Sequence, residues 1–83
     1  MKLKKFVKTR DEKFGEVIFD TLKEKVFVTN ETGKDIVDLL QQGYSSENIV
    51  RSLSDLYNKE PAEIQNDILS FIDSLKNNSL IEV

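Results

Sequence analysis

The first apolar segments of this chain are joined by connections too short for anything but hairpins. "KKFVKTR" (Lys4–Arg10), "FGEVIFDTL" (Phe14–Leu22) and "KVFVTN" (Lys25–Asn30) follow one another with three and then two residues between them. A parallel pair needs a crossover of about a dozen residues or more, so these segments predict an antiparallel meander in the order one, two, three. The first segment alternates weakly and is dominated by charge, whereas the second is richer in β-branched and aromatic residues. Gly15 marks either a bulge or the end of the first turn.

Helical signals follow without a linker. In "NETGKDIVDLLQQG", Asn30 is placed to cap a helix and Glu31 puts negative charge in its first turn. Ile36, Leu39 and Leu40 recur at helical spacing with Val37 at the margin, and Gly43 offers a stop. In "SSENIVRSLSDLYN", Ser45 or Ser46 caps, and Ile49, Leu53, Leu56 and Tyr57 share a face. In "EPAEIQNDILSFIDSLKNNS", Pro61 sits at the first helical position behind Glu60, and Ile64, Ile68, Phe71, Ile72 and Leu75 form the stripe. The closing "LIEV" reads as an extended tail packed back on the core. Three strands followed by three helices predict an α+β domain with the helices against one face of a small sheet.

With 83 residues, 39% hydrophobic and 33% charged, the chain suits one modest soluble domain, here taken as residues 1–83. No apolar run approaches the roughly 20 residues that span a bilayer. "MKLKKFVKTR" has the charge of a signal peptide without the apolar segment that should follow, so a cytoplasmic address and no membrane partner are expected. There is no cysteine and no histidine. That removes thiol chemistry, disulfides, the commonest metal ligand and the commonest general base. The acidic pairs Asp11-Glu12 and Asp35 with Asp38 read as a solvated turn and helix face. No enzymatic constellation and no cofactor are expected.

The net charge of −3 hides an asymmetry. Residues 1–10 carry five basic side chains and no acid, and the remainder balances to −8. The first strand, with Lys4, Lys5, Lys8 and Arg10, is therefore a defended edge. The third carries no charge, proline or glycine from Val26 to Thr29. Either Lys25, the helix entry at Asn30 or the tail protects it, or it accepts a guest strand by β-augmentation. The third helix adds a related observation. Its stripe spans about 100° of arc, and Leu69 widens this to about 160°. Leu69 either packs against Leu80 or a neighbouring helix, or belongs to a groove beside the bare strand.

These features resemble the PqqD-like domains, also called RiPP recognition elements. The resemblance rests on the element order, on "VFVTNETGKDIVDLL", and on "SSENIVRSLSDLYNKEPAEIQNDILSFIDSLKNNSLIEV", and it runs from about residue 6 to the end. It implies a winged-helix-like domain that binds the leader segment of a ribosomally made precursor peptide as an extra antiparallel strand along the third strand, beside the third helix. A tailoring enzyme, often a radical SAM enzyme, then acts on the core segment. Carried onto this chain, the resemblance places the peptide on Lys25, Val26, Phe27, Val28, Thr29 and Asn30, and on Ile64, Asp67, Ile68 and Phe71. Two departures stand out. Ser79 occupies the place of a usual glycine before Leu80-Ile81, so Asn77 or Asn78 is expected to take the left-handed conformation that ends the helix. Thr29 stands where many members have leucine.

Two alternatives draw on the same residues. Winged-helix domains often read DNA, which needs bases and phosphates to meet Arg, Lys, Asn or Gln. The third helix offers Gln65, Asn66 and Lys76 against Glu63, Asp67 and Asp73, and the second offers Arg51 alone, so no nucleic-acid partner is expected. The open edge could also dock an enzyme without touching peptide, or pair with a second copy.

Overall fold

The computed structural model describes residues 1–82. Its elements are β1 (Lys2–Leu3), β2 (Val7–Glu12), β3 (Gly15–Asp20), β4 (Lys25–Asn30), α1 (Glu31–Gln41), α2 (Ser46–Tyr57), α3 (Pro61–Asn77) and β5 (Ile81–Glu82). The expected meander is present as an antiparallel sheet in the order β2-β3-β4, followed by the three helices in a winged-helix-like α+β arrangement. Among the described residues no helix is long and apolar enough to cross a membrane.

The register is continuous from Val7↔Asp20 to Glu12↔Gly15 and from Gly15↔Asn30 to Asp20↔Lys25. Gly15 therefore ends the first turn and does not form a bulge. It also lies against the end of β4: a Cβ there would sit 2.2 Å from the Thr29 carbonyl oxygen. The second turn is set by Asp20, whose buried Oδ1 accepts the Leu22 and Lys23 N–H groups at 3.1 and 2.9 Å. Such Asx bonding replaces a backbone turn and leaves Glu24 to take a left-handed φ of 57°.

The tail does pack on the core, but not along β4. Leu3 pairs with Ile81 and Lys2 with Glu82 in a separate two-stranded sheet, extended by the Lys4 N–H to Leu80 carbonyl bond at 3.0 Å. Leu80 and Ile81 are buried there. The Lys2–Glu82 ion pair at 3.4 Å is exposed and adds little.

One face of the sheet is covered by the helices. Ile18 from β3 meets Ile36, Val37 and Leu40 of α1, Ile49 and Leu53 of α2, and Ile68, Ile72 and Leu75 of α3 in a single core. Helix starts follow their expected caps. The Asn30 Oδ1 accepts the Gly33 N–H at 2.9 Å and the Ser45 Oγ accepts the Asn48 N–H at 3.2 Å. Pro61 opens α3, where the Glu60 N–H donates to the Glu63 carboxylate at 3.2 Å.

All three helices end on the same paired bonds, with one N–H reaching five residues back and one reaching three back within a left-handed turn. In α1 these are Tyr44 to Leu39 and Gly43 to Leu40, in α2 Lys59 to Ser54 and Asn58 to Asp55, and in α3 Leu80 to Leu75 and Ser79 to Lys76. The left-handed residues are Gly43, Asn58 and Ser79. The expectation that Asn77 or Asn78 would take this role is corrected. Asn78 has φ −91° and Ser79 has φ 57°, because Leu75 and Leu80 must both reach the core and only a turn at Ser79 brings them together.

Candidate functional site: an open strand edge beside a cavity

β4 has β3 on one side and, among the described residues, no strand on the other. Which of its peptide groups face outward follows from one bond. The Thr21 N–H donates to the Phe6 carbonyl at 3.0 Å, so these two form a hydrogen-bonded pair just beyond Val7↔Asp20. Bonded and non-bonded pairs alternate in an antiparallel ladder. Phe19, Val17 and Gly15 therefore turn their peptide groups to β2, and Asp20, Ile18 and Glu16 turn theirs to β4. Their partners Lys25, Phe27 and Thr29 complete that ladder. The N–H and C=O groups of Val26 and Val28 are left pointing away from the sheet.

Side chains on β4 alternate in step. Phe27 and Thr29 face the helices and are half-buried, while Val26 and Val28 lie on the outer face, 60% and 66% exposed. The opposite edge is different. β2 carries Lys8 and Arg10 on its outer face, with Arg10 paired to Glu12 at 3.3 Å and 5.4 Å from the Phe19 ring centroid. Of the two edges of this sheet, β4 is the undefended one among the described residues.

Beside that edge, where β4 turns into α1, lies a cavity of about 290 Å³ between the first turn of α1 and the middle of α3. Its floor is apolar, from Ile36, Ile68 and Phe71, and its rim holds Asn30, Thr32 and Asp67. Gly33 completes the wall because nothing larger fits: a Cβ there would lie 1.7 Å from the Thr29 Oγ1. The two glycines, Gly15 and Gly33, thus hold the end of β4 between them.

Behind the cavity wall a cluster of charges lies on the inner face of the sheet. Glu16, 1% exposed, stands opposite Asp11 on β2 and Thr29 on β4. Burial, the neighbouring charges of Asp38 and Asp11 and a hydrogen bond with Asp11 push its carboxyl up to about 7, and Lys34 opposes the shift. Lys34 bonds Asp38 at 2.9 Å and lies 3.9 Å from Asp11. On the far side of α1 the Tyr57 hydroxyl donates to Asp35 at 2.5 Å, and burial first, then this bond, pushes the phenol up to about 12.

The residues carried over from the resemblance divide into three sets. Asn30, Asp67, Ile68 and Phe71 line the cavity together. Lys25 to Thr29 form the edge itself. Ile64 is half-buried against the core and is not among the cavity residues. Ile68, at 1% exposure, belongs to core and floor alike. Thr32, Gly33 and Ile36 were not anticipated. The signal was present in Gly33, a glycine inside a helical segment, which commonly marks close backbone approach. Leu69 is not among the residues of the β4 cavity and lies instead toward a neighbouring helix, one of the placements expected for it. It lines a separate cleft between α2 and α3 with Val50, Arg51 and Pro61.

The sequence profile described as coenzyme PQQ synthesis protein D (PqqD) matches residues 15–81, from the start of β3 into β5. The chain belongs to the PqqD family. Membership makes it a RiPP-recognition-type accessory domain, and among the described residues no group of three or more acidic side chains is placed to hold a metal. Two solved structures share the fold seen here. One is TbiB1 in complex with the TbiA(beta) leader peptide, with a TM-score of 0.89, 24% identity, and coverage of 99% of this chain and 95% of that one. The other is lasso peptide synthetase B1 complexed with the leader peptide, with a TM-score of 0.84, 25% identity, and coverage of 95% and 93%. A comparison with curated proteins finds no match.

Proposed function

We propose that this domain binds the leader segment of a ribosomally synthesised precursor peptide and presents the precursor to a tailoring enzyme. The leader adds as an antiparallel strand along Lys25–Asn30, with side chains entering the cavity lined by Asp67, Ile68 and Phe71. The observation that carries the reading is the row of unpaired peptide groups at Val26 and Val28 directly beside an apolar cavity. Backbone hydrogen bonds then supply affinity and the cavity supplies selectivity. The family assignment supports it, as does the presence of leader peptides in the two similar structures.

The whole of residues 1–83 acts as one leader-binding unit in this reading. Its enzyme partner modifies the core segment. A lasso-type maturation enzyme suits the likeness to lasso peptide synthetase B1, and a radical SAM enzyme is the other class. A ribosomal product meets such a domain in the cytoplasm. Fluorescence anisotropy with the labelled leader of the precursor encoded beside this chain tests the reading at two salt concentrations. Saturable binding that survives moderate salt, with a scrambled leader failing, supports it. No binding in the micromolar range overturns it, and concentration-dependent dimers in sedimentation would then assign the open edge to self-pairing.

A further inference from the structure

The parity of β4 determines more than whether a strand can add. It determines which guest side chain meets which wall. A guest paired antiparallel to β4 bonds to the outward peptide groups of Val26 and Val28, so its residues opposite those two share their outer face. Its residues opposite Phe27 and Thr29 turn inward. The one opposite Thr29 stands at the mouth of the cavity, because Gly33 and Asn30 flank Thr29 there.

The chemistry of that cavity is uneven. Ile36, Ile68 and Phe71 give an apolar floor, and Asp67 is its one charged lining residue. Asp67 is exposed at the rim and has no ion-pair partner among the described residues. The nearest cation in sequence on α1, Lys34, is already engaged by Asp38 and Asp11. The first turn of α1 would by itself favour an anion. Here the Asn30 side chain takes the Gly33 N–H at 2.9 Å, and Glu31 offsets the positive end of the helix. What remains is an aliphatic passage ending at a carboxylate.

We infer that this cavity selects a lysine or arginine of the guest strand, its methylenes on Ile68 and Phe71 and its charge at Asp67. This rests on the strand-addition reading and adds a sequence requirement to it. Because the guest runs antiparallel, the residue opposite Thr29 precedes the one opposite Phe27 by two positions. The recognised pattern is a cationic residue, then a residue beside the exposed Val28, then an apolar residue that covers the half-buried Phe27. Long basic side chains suit such a site because the stem buries on apolar surface while the head stays at the wet rim.

The test is a selection of random dodecapeptides displayed on phage against the immobilised full chain, as wild type and as Asp67→Lys and Asp67→Asn. Enriched peptides are then synthesised and measured by anisotropy. The wild type should enrich Lys or Arg two positions before an apolar residue, and exchanging that residue for Glu should weaken binding about tenfold or more. Asp67→Lys should reverse the preference and Asp67→Asn should flatten it. Asp67 is exposed, so both variants should keep the wild-type circular dichroism, and Asp67→Asn suffices alone if the lysine variant misfolds. Enriched peptides with an acidic or aromatic residue there, or a preference indifferent to Asp67, overturn the cation assignment while strand addition stands. Failure of the wild type to enrich any peptide overturns strand addition and the cation assignment with it.

Discussion

Val28 faces Val17 across the β3–β4 ladder at a position where neither residue bonds the other, so the Val28 N–H points out of the sheet. Proline at this position removes a donor that the folded domain does not use. Val28→Pro should therefore leave the circular dichroism spectrum and the melting temperature close to those of the wild type. It should weaken leader binding by about tenfold or more, because the guest loses a backbone partner and meets the proline ring. Phe27→Pro is the contrast. The Phe27 N–H serves the ladder to Ile18, so that variant should unfold the sheet. Equal effects of the two prolines on folding would show that the parity assigned to β4 is wrong.

Phe71 and Ile68 are three residues apart on α3, line the same cavity, and are buried to different degrees. Phe71 is half-buried at the cavity and Ile68 is 1% exposed. Phe71→Asp should abolish leader binding in a domain that still folds, with a loss of stability of about 1–2 kcal/mol for the buried part of a large side chain. Ile68→Ala should cost about 2–5 kcal/mol through the cavity it leaves. In a domain this small, that is a large share of the total. Urea titrations read the stability and anisotropy reads the binding. A Phe71→Asp protein without a cooperative transition would place Phe71 in the core.

The contrast between these two positions shows what can be read from sequence here. The span Lys25–Asn30, its bare edge, the cap at Asn30, the cap within Ser45-Ser46 and the start of α3 at Pro61 were legible, because strand propensity, capping chemistry and proline act locally. The face of each α3 residue was legible from periodicity, but its burial was not. Ile64, Ile68, Leu69 and Phe71 share an apolar sector, and only packing assigns Ile68 to the core, Phe71 to the β4 cavity and Leu69 to the α2–α3 cleft. β1 was not legible as a strand, since a two-residue segment such as Lys2–Leu3 has no period to detect, and of β5 the extended, packed tail was legible but not its partner strand. The first expected strand, Lys4–Arg10, starts three residues early and ends two early for a similar reason. Charge along "KKFVKTR" obscures the alternation, and the ladder begins only at Val7.

The end of α3 supplies a stability prediction. Ser79 holds φ at 57°, a conformation that costs a residue with a Cβ about 1 kcal/mol and glycine nothing. Its backbone N–H bonds the Lys76 carbonyl, and the next N–H bonds Leu75, both at 2.9 Å. Ser79→Gly keeps both bonds and relieves the strain, at the expense of a more flexible unfolded chain. It should raise the unfolding free energy by about 0.5–1 kcal/mol without changing leader binding. Asn78→Gly, at φ −91°, should give no gain. If Asn78→Gly stabilised and Ser79→Gly did not, the left-handed position would lie one residue earlier.

Glu16 gives the domain a pH dependence whose sign can be worked out. Its carboxyl moves from 4.5 to about 7 on folding, first through burial and then through Asp38 and Asp11, with Lys34 in opposition. The unfolded chain ionises this group first. Stability from Glu16 is therefore greatest below about pH 4.5, falls as pH rises toward 7, and is level above that. Thr29 stands on its other side and brings no charge. Glu16→Gln removes the titration and keeps the shape. It should stabilise the domain by about 1 kcal/mol at pH 8, less than the full shift converts to because Asp11 and Lys34 readjust around the ionised group. The advantage should shrink toward zero near pH 4.5. Urea midpoints for both proteins across pH 4 to 8 measure the difference. A gap that widens as the pH falls would mean that Glu16 is ionised and stabilising in the folded state, held by Lys34 and not repelled by its acidic neighbours.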